Sequence, residues 1–255
     1  MQSHPARLTG GYPRPVVPQA GLLGRTLVAL PGQNAVVEVD DQGRETFRVA
    51  AKSAYACDLL PNGHRLVGDG KGVVEYDARG KEIWSKTDLP RAPMSVRRLD
   101  NGNTLVAMDG HDQQKSVVLE IDPLGEEVWR WQGDMPGDAA RLPDGNTIVA
   151  LHGANRVVEV DADGKEVWAM NVDDPLRVER LADDTTLVVS GANRGRIYDR
   201  QGAEIRDLGE VRDARVAPDG GLLILGMDGV LAREELGKPP LRIQLPEGAG
   251  RFRRR

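Results

Sequence analysis

The sequence is short of cysteine, aromatic residues and long apolar runs. Its single cysteine, Cys57, excludes an intrachain disulfide framework and a zinc site built from cysteines. No run of about 18 apolar residues occurs, so the sequence predicts no membrane-spanning helix. Its first residues lack an apolar stretch, which predicts no signal peptide in the chain as given. The small net charge of −5 argues against a dedicated nucleic-acid-binding protein.

Glycine and proline, in contrast, are abundant. The 30 Gly and 16 Pro residues together make up 46 of 255 residues, or about 18%. The average for soluble proteins is roughly 12%. Because both residues favour turns, the sequence predicts many short elements. With 40% hydrophobic residues, a chain of this length can still bury a substantial core.

The sequence also repeats itself. One unit reads RLPDGNTIVALHGANRVVEVDADGKEVW, from Arg141 to Trp168. A D-x-x-G turn recurs at Asp40–Gly43, Asp77–Gly80, Asp122–Gly125, Asp161–Gly164 and Asp199–Gly202, with Glu234–Gly237 as a degenerate sixth. The turns start 37, 45, 39, 38 and 35 residues apart. Six repeats of about 39 residues approach the 40–45 residues of a four-stranded propeller blade.

Each unit has the pattern of short strands rather than of helices. In the fourth unit the predicted strands are Ala139–Leu142, Thr147–Leu151, Val157–Asp161 and Glu166–Met170. A single sheet of this kind cannot bury both of its faces, whereas six sheets packed around an axis can. The sequence therefore predicts an all-β fold, a six-bladed β-propeller of four-stranded antiparallel blades.

The repeats also set the predicted boundaries. Residues 1–15 are an N-terminal extension, residues 16–246 a single propeller, and residues 247–255 a basic C-terminal tail. The first inner strand is predicted near Val16–Gln19 and the last strand at Leu241–Leu245. The sequence ends in RFRRR, and we expect Arg251–Arg255 to be a solvated tail.

The D-x-x-G-K-E-V-W ending at Asp161–Trp168 resembles the repeat of pyrroloquinoline-quinone-type (PQQ-like) propellers. The preceding L-P-D-G-N-T stretch, Leu142–Thr147, resembles the propeller of bacterial arylsulfotransferase-like proteins. The resemblance covers about Gly24 to Leu245 and implies blade architecture. Because PQQ-like relatives are exported, it also favours the periplasm or the cell surface over the cytoplasm.

Neither activity of these relatives is implied for this chain. Quinone-dependent dehydrogenases usually have eight blades, a vicinal disulfide and a calcium site, whereas this chain has six units and one cysteine. Arylsulfotransferase-like propellers use histidines in H-D-x-x-x-L-P-type stretches. Here Gly137 precedes Asp138 and Arg212 precedes Asp213, so the histidine is absent from both stretches.

Residues that recur at one place in successive units are interpreted as structural. An aromatic residue follows the turn glycine by four positions, and we predict that it packs between blades. Recurring Glu and Arg residues are interpreted as interblade salt bridges, with a ring of ligand-binding charges as the alternative. These residues are Phe47, Trp84, Trp129, Trp168, Glu38, Glu75, Glu120, Glu159, Arg98, Arg141 and Arg180.

The loops that differ between units are the predicted binding surface. They join the second and third strands of a blade or connect successive blades, and the most irregular is Asp109–Ser116. The predicted binding residues are Asp109, His111, Asp112, His152, Asn155, Arg156, Arg194, Trp131, Asp138, Arg177 and Asp213. Among them, His111, His152 and Asp109 would supply the three protein ligands of a catalytic zinc ion only if their loops converge.

The inner strands carry a second set of charges. One register contains Asp58, Arg97, Ala140, Glu179 and Arg215, which we expect to line a central channel as a self-neutralising ring. A polar ligand site in the channel is the alternative. Lactonase-like six-bladed propellers hold a divalent ion there with Glu, Asn and Asp, and the similar residues here are Asn155, Asn193, Asp138 and Asp213. Cys57 is expected to be a buried, inert thiol.

These patterns favour a non-catalytic scaffold that presents its irregular loop face to a protein or another macromolecule. No catalytic residue, metal or cofactor is assigned, since the sequence contains neither a G-x-S-x-G elbow nor a P-loop. The alternative is a small-ligand binder or a metal-assisted, lactonase-like hydrolase with its site at the channel mouth. A third hypothesis is nucleic-acid binding through Arg251–Arg255.

Overall fold

The structure is a computed structural model that describes residues 24–110, 116–217, 220–234 and 241–254. Within these ranges the chain forms 23 β-strands and one short 3₁₀ turn, Pro31–Gln33. The predicted all-β class is therefore confirmed. In the same ranges, no helix has the length and apolarity to cross a membrane. The predicted N-terminal extension, residues 1–15, and the predicted strand near Val16–Gln19 lie outside the described residues.

The strands are short and follow one another at turns. The first eleven are β1 Thr26–Leu30, β2 Ala35–Val39, β3 Glu45–Ala50, β4 Ala56–Leu59, β5 Arg65–Asp69, β6 Gly72–Tyr76, β7 Glu82–Lys86, β8 Ser95–Arg98, β9 Thr104–Met108, β10 Val117–Ile121 and β11 Glu127–Gln132. The others are β12 Pro136–Arg141, β13 Thr147–Leu151, β14 Arg156–Val160, β15 Glu166–Asn171, β16 Pro175–Arg180, β17 Thr186–Ser190, β18 Arg194–Tyr198, β19 Glu204–Val216, β20 Leu222–Gly226, β21 Val230–Glu234, β22 Leu241–Gln244 and β23 Phe252–Arg254.

Strands that are consecutive in the chain pair in antiparallel fashion and form four-stranded sheets. Three sheets are simple meanders: β4 to β7, β8 to β11 and β12 to β15. The first sheet has the order β23-β1-β2-β3. The last sheet runs from β16 to β22 and contains β19, a strand of 13 residues. The C-terminal half of β19 pairs with β20, and its N-terminal half pairs with β18.

Burial explains the two kinds of strand in each unit. Second strands such as β13, with the sequence TIVAL, are buried along their whole length. A strand covered on both faces reads as a continuous apolar run, because neither face meets water. The fourth strands lie at a sheet edge, and most residues of β11 are exposed or half-buried. Outer strands such as β11 therefore carry charged residues, of which β13 has none.

The core consists of layers between successive sheets. Leu105 and Val118 of the third sheet pack with Val149 and Val158 of the fourth. Similar buried clusters lie between the first and second, the second and third, and the fourth and last sheets. One more cluster lies within the seven-stranded last sheet. A further cluster brings β20 to β22 against the first sheet. Each sheet thus buries both of its faces through its two neighbours.

The cluster of the first sheet joins the two ends of the described chain. Val28 of β1 packs in one cluster with Leu225 of β20, Ile243 of β22 and Phe252 of β23. Strand β23 pairs with β1, with Val28 opposite Phe252. The last part of the chain therefore both supplies a strand to the first sheet and packs against it.

This pairing corrects the prediction of a solvated basic tail at residues 247–255. Phe252 is buried, and the backbone of Arg253 and Arg254 pairs with β1. The alternation of a buried Phe with flanking arginines suits an inner strand, although its charge density suggests a tail. The third hypothesis, nucleic-acid binding through Arg251–Arg255, requires a free tail, and the pairing of β23 with β1 contradicts a free tail for Phe252 to Arg254.

The D-x-x-G turns act as predicted. In the fourth unit, Asp161 Oδ1 accepts hydrogen bonds from the backbone N–H groups of Asp163 at 3.0 Å and Lys165 at 2.9 Å. Gly164 has a φ of 81°, in the left-handed region that glycine adopts at no steric cost. The aspartate side chain is thus hydrogen-bonded within its own turn. One face of the protein is covered with these tight, repeated connections.

Candidate functional site

Outer ion pairs join neighbouring sheets at repeated positions. Arg141 Nη2 donates to Glu120 Oε2 at 2.5 Å, and its guanidinium lies 5.0 Å from the centre of the Trp129 ring. The indole N–H of Trp129 donates to the carbonyl of Ala162, in the turn of the next sheet, at 2.9 Å. The other two sets are Glu75 with Arg98 and Trp84, and Glu159 with Arg180 and Trp168. The predicted interblade packing and salt bridges are confirmed for these residues.

The interface between the first and second sheets forms the same contacts with an arginine from a different strand. Leu59 stands where the other sheets carry the recurring arginine. Arg65, on the adjacent strand, instead donates from Nε to Glu38 Oε2 at 3.0 Å and lies 4.2 Å above the Phe47 ring. Sequence comparison missed this substitute because it lies six residues away from the repeated position. The contact is conserved between sheets although the residue position is not.

An inner charged cluster lies on the innermost strands and consists of Arg97, Asp138, Arg177, Glu179, Asp213 and Arg215. Asp138 is fully buried. Its Oδ2 accepts from Arg97 Nη2 at 3.1 Å and from Arg215 Nη1 at 2.9 Å. The backbone N–H of Val178 also donates to it at 3.3 Å. These partners come from the third and last sheets, so Asp138 of the fourth sheet connects three sheets.

Glu179 and Asp213 complete the anionic half of the inner charged cluster. Glu179 Oε1 lies 3.2 Å from Arg97 Nη1 and 3.3 Å from Arg215 Nη1. Asp213 Oδ2 accepts from Arg215 Nε at 3.4 Å and from the backbone N–H of Phe252 at 3.3 Å. The expected pairing of opposite charges along the inner strands is confirmed for Arg97, Glu179 and Arg215.

The surrounding carboxylates decide the charge of Arg215. Burial disfavours the charged guanidinium, but Asp213, Asp138 and Glu179 outweigh that cost and raise the pKa of Arg215. Arg215 therefore carries a permanent charge inside the protein. Removing it would leave three buried carboxylates without their shared counter-ion, which is the costly way to break a buried ion pair.

Arg177 is the third predicted binding residue in this cluster. Its Nη1 donates to the carbonyl oxygens of Gly137, at 3.1 Å, and Leu176. Its Nε lies 3.7 Å from Asp213 Oδ1. The structure thus brings Asp138, Arg177 and Asp213 into one network in which each has protein partners.

A second group, on the irregular loop side, contains Asp109 and His152. Asp109 Oδ2 lies 3.6 Å from His152 Nε2, and Asp174 Oδ1 lies 3.7 Å from His152 Nδ1. The imidazole therefore stands between two carboxylates from different loops. His111 and Asp112, predicted for the same surface, lie outside the described residues. Among the residues that are described, no three His, Cys, Asp or Glu side chains group as metal ligands.

The pKa of the Asp109 carboxyl is lowered from its ordinary value. Its contact with His152 is the main cause, partial burial opposes it, and Arg91 and Arg251 add a smaller favourable effect. Asp109 is thus ionised at neutral pH and faces the His152 imidazole at 3.6 Å. A carboxylate beside an imidazole supplies the residue types of an acid–base pair.

Other predicted binding residues have partners within their own part of the fold. Asn155 has a left-handed φ of 53°, and its Oδ1 accepts from the backbone N–H of Asp174 at 2.8 Å. Arg156 pairs with Glu166 at 2.6 Å, on the next strand of the same sheet. These contacts shape loops and edges and do not aim the side chains at a common ligand.

The same holds for Arg194 and Trp131. Arg194 Nη2 lies 2.5 Å from Asp207 Oδ2 across β18 and β19. The indole N–H of Trp131 donates to the carbonyl of Gly164 at 3.1 Å, which adds a contact between two sheets. Asn193 resembles Asn155 in its left-handed φ of 57°. The lactonase-like ion site proposed from Asn155, Asn193, Asp138 and Asp213 is not assembled, since two of these residues shape exposed loops and two lie in the inner charged cluster.

Sequence reasoning missed one residue beside the inner charged cluster, Arg251. Phe252 pairs with Val28 as Ala139 pairs with Val149, so Arg251 takes the place in the first sheet that Asp138 takes in the fourth. The signal is the register of β23, which was hidden by the expectation of a tail. A small cavity of about 10 Å³ adjoins it. The lining residues are Ala56, Cys57, Met94, Ser95, Val96, Arg215, Arg251 and Phe252.

Comparisons with known proteins agree with this fold. A family model described as outer membrane protein assembly factor BamB matches residues 4–129 and 114–206. A protein of unknown function from Bacteroides caccae is 18% identical, with a TM-score of 0.74 over 90% of this chain and 98% of that chain. A streptogramin B lyase is 11% identical, with a TM-score of 0.61 over 88% of this chain and 80% of the lyase.

A catalytically inactive histidine-to-alanine variant of virginiamycin B lyase from Staphylococcus aureus, solved with quinupristin, is also similar. It is 10% identical, with a TM-score of 0.61 over 88% of this chain and 81% of that chain. No curated protein matches the sequence. At these identities the solved structures establish the propeller-type fold alone.

Proposed function

Since the chain belongs to the family described as outer membrane protein assembly factor BamB, we propose that it is a non-catalytic, six-bladed binding scaffold. Its irregular loop face, formed by the loops between second and third strands and between sheets, binds a protein partner. An assembly factor acts on other proteins, and this family description supports such a partner.

Two features support six blades in a closed ring. Strand β19 pairs with β18 through its first half and with β20 through its second half, so β16 to β22 contain two four-stranded meanders with one strand in common. The cluster of Val28, Leu225 and Phe252 also seats the second of these meanders against the first sheet. Counted this way, the described strands make six units.

The observation that carries the scaffold proposal is the inner charged cluster, whose paired side chains occupy the space between the innermost strands. Pockets for small molecules usually enclose about 300–1,000 Å³. The cavity at Arg251 encloses about 10 Å³, and the inner charged cluster occupies the axis beside it. A small molecule of ordinary size does not fit this cavity, which favours recognition of a larger partner on the protein surface.

The irregular loop face has the side chains that protein interfaces favour. Tyr55 and Met227 are 41% and 39% exposed, in a loop between sheets and a loop between second and third strands. Arg91, in a loop between sheets, and Arg212, at the register shift inside β19, are also exposed. Tyr, Met and Arg are enriched at interfaces relative to other surface. The opposite face presents the repeated aspartate turns instead.

Site-specific photocrosslinking tests this assignment. A photoreactive amino acid at Tyr55 or Met227 should crosslink one and the same protein in cells. The matched control positions are Asp163 and Gln201, which are exposed in turns of the opposite face. Mass spectrometry identifies the products. Adducts to that protein from the control positions, or none from Tyr55 and Met227, would contradict the proposal.

One observation favours a second function, a small-ligand binder or hydrolase at the channel mouth. His152 stands between Asp109 and Asp174, and a structurally similar lyase loses catalysis when a histidine is replaced by alanine. If this function is present, the protein converts quinupristin and His152→Ala does not, as mass spectrometry of the intact compound would reveal. Unchanged quinupristin, together with no bound divalent ion on metal analysis, would reject it.

A further inference from the structure

Arg251 differs from the three arginines of the inner charged cluster. Arg97, Arg177 and Arg215 each have a carboxylate oxygen within 4 Å. Within the ranges that the structure describes, Arg251 has no carboxylate oxygen within that distance. Its Nη1 is shielded from solvent and has no hydrogen-bond acceptor among the described atoms. A buried donor without an acceptor is costly, and more so when it is charged.

The surroundings of Arg251 leave its charge incompletely compensated. Burial lowers its pKa to about 10, although Asp138, Asp109, Cys57 and Tyr55 act in the opposite direction. Asp138 is already shared between two other arginines, and Asp109 is in contact with His152. A negatively charged ligand at Arg251 Nη1 would therefore supply the missing hydrogen-bond acceptor and compensate the charge.

The cavity beside Arg251 has the chemistry to take that charge. Arg215 contributes a second guanidinium to its wall. Ser95 Oγ accepts from the backbone N–H of Ala139 at 3.3 Å, so the hydroxyl hydrogen can be donated into the cavity. Ala56 and Ser95 are the smallest residues at their level of the inner strands, where other sheets have Asp138 or Arg177. The opening exists because these two side chains are small.

The size and access of the cavity limit the ligand. A volume of about 10 Å³ is close to that of one water molecule, and Met94 and Arg251 are both partly exposed at its rim. One oxygen of a carboxylate, or one halide ion, can enter from solvent. A sugar or nucleotide cannot.

We propose that Arg251, Arg215 and Ser95 form a binding site for one small monovalent anion, a carboxylate or a halide. This site does not depend on the proposed protein partner, so the two proposals fail independently. The anion would tie β23 to the third and last sheets and thereby stabilise the joined ends of the chain.

Thermal unfolding in sodium formate tests the proposal, with sodium isethionate at equal concentration as the bulky reference. Formate at ten times its Kd should raise Tm by about 4 °C relative to isethionate, with saturation. Arg251→Gln should abolish the difference and Ser95→Ala should weaken formate binding several-fold. Arg48→Gln, which removes an exposed arginine of an outer strand, should keep the full shift. Equal Tm values in the two salts, or an unchanged shift in Arg251→Gln, would overturn the site.

Crystals of the unaltered protein grown in sodium bromide give a second readout that does not depend on the folding of a variant. An anomalous peak between Arg251 and Ser95 is expected. Its loss after transfer to formate would assign the same site to carboxylates, and its retention at high formate would restrict the site to halides. A water molecule with no anomalous signal at that position would refute the proposal.

Discussion

The outer ion pairs and the inner charged cluster contain the same residue types but form different kinds of contact. The outer pairs repeat from sheet to sheet, and each arginine serves one neighbouring glutamate and one aromatic ring. In the inner cluster no two sheets contribute the same pattern, and Arg215 alone serves Asp138, Glu179 and Asp213. Repeated positions therefore hold the contacts that build each interface between sheets. Positions that depart from the repeat hold contacts that occur once, such as those of Arg215.

The register of the inner strands makes this contrast concrete. Ser95, Asp138, Arg177 and Asp213 each pair with the fourth residue of the second strand in their unit. One structural position thus holds a hydroxyl, two carboxylates and a guanidinium. Because side chains at this position face the other sheets at the centre, a substitution in one sheet alters the contacts of several others.

The largest expected effect comes from the centre. Arg215→Gln leaves three buried carboxylates short of a counter-ion and should reduce the free energy of unfolding by about 3–5 kcal/mol. Urea unfolding measures the loss. Arg130→Gln, at an exposed pair, is the matched control and should cost less than about 0.5 kcal/mol. Similar losses for the two variants would remove the distinction between buried and exposed arginines.

A smaller effect is expected for an outer pair. Both ion-pair partners of Glu159, Arg180 and Arg200, lie on the same side of its sheet. Glu159→Gln should therefore lower the free energy of unfolding by about 2 kcal/mol at pH 7. Burial raises the pKa of Glu159, but hydrogen bonds from Arg200 and Asn146 outweigh it and the net pKa is lowered from 4.5. The stability from this carboxylate is therefore complete above pH 4.5 and is lost as the pH falls through the folded-state pKa.

Urea unfolding across this pH range sharpens the comparison. The difference between the native protein and Glu159→Gln should shrink as the pH falls from about 5 to about 3. Glu166→Gln, in an exposed pair with Arg156, should show a small difference throughout. A gap for Glu159→Gln that widens at low pH would contradict the sign of its pKa shift.

The smallest effect isolates one hydrogen bond. Trp168→Phe keeps an aromatic ring for Arg180 but removes the indole N–H that donates to the carbonyl of Arg200 at 2.8 Å. We expect a loss of about 1 kcal/mol in the free energy of unfolding. Trp168→Leu, which also removes the aromatic face, should cost more. Equal losses would mean that the ring contributes only buried area to this interface.

Much of the fold could be predicted because its determinants are local. The spacing from Asp161 to Gly164, the apolar run at Thr147–Leu151 and the recurrence of Trp168 each depend on a few adjacent residues. The role of β23 could not be predicted in the same way. Its partner β1 lies more than 200 residues away, and nothing in RFRRR indicates which strand it joins.

The candidate site shows the same limit. The repeat placed Asp109 and His152 in equivalent loops of adjacent units but left open whether these loops converge. The contacts of Asp138 with Arg97 and Arg215 connect residues 41 and 77 positions away, from sheets that are not all neighbours in sequence. Such contacts depend on side-chain reach across the centre, which a repeat pattern does not encode.

The pairing of β23 with β1 has a consequence for synthesis of the protein. Strands β1 to β3 are translated about 200 residues before β23. The first sheet to emerge from the ribosome is therefore the last to be completed, and β1 presents an unpaired edge until then. During synthesis, that edge is open to pairing with another molecule until the final segment has been translated.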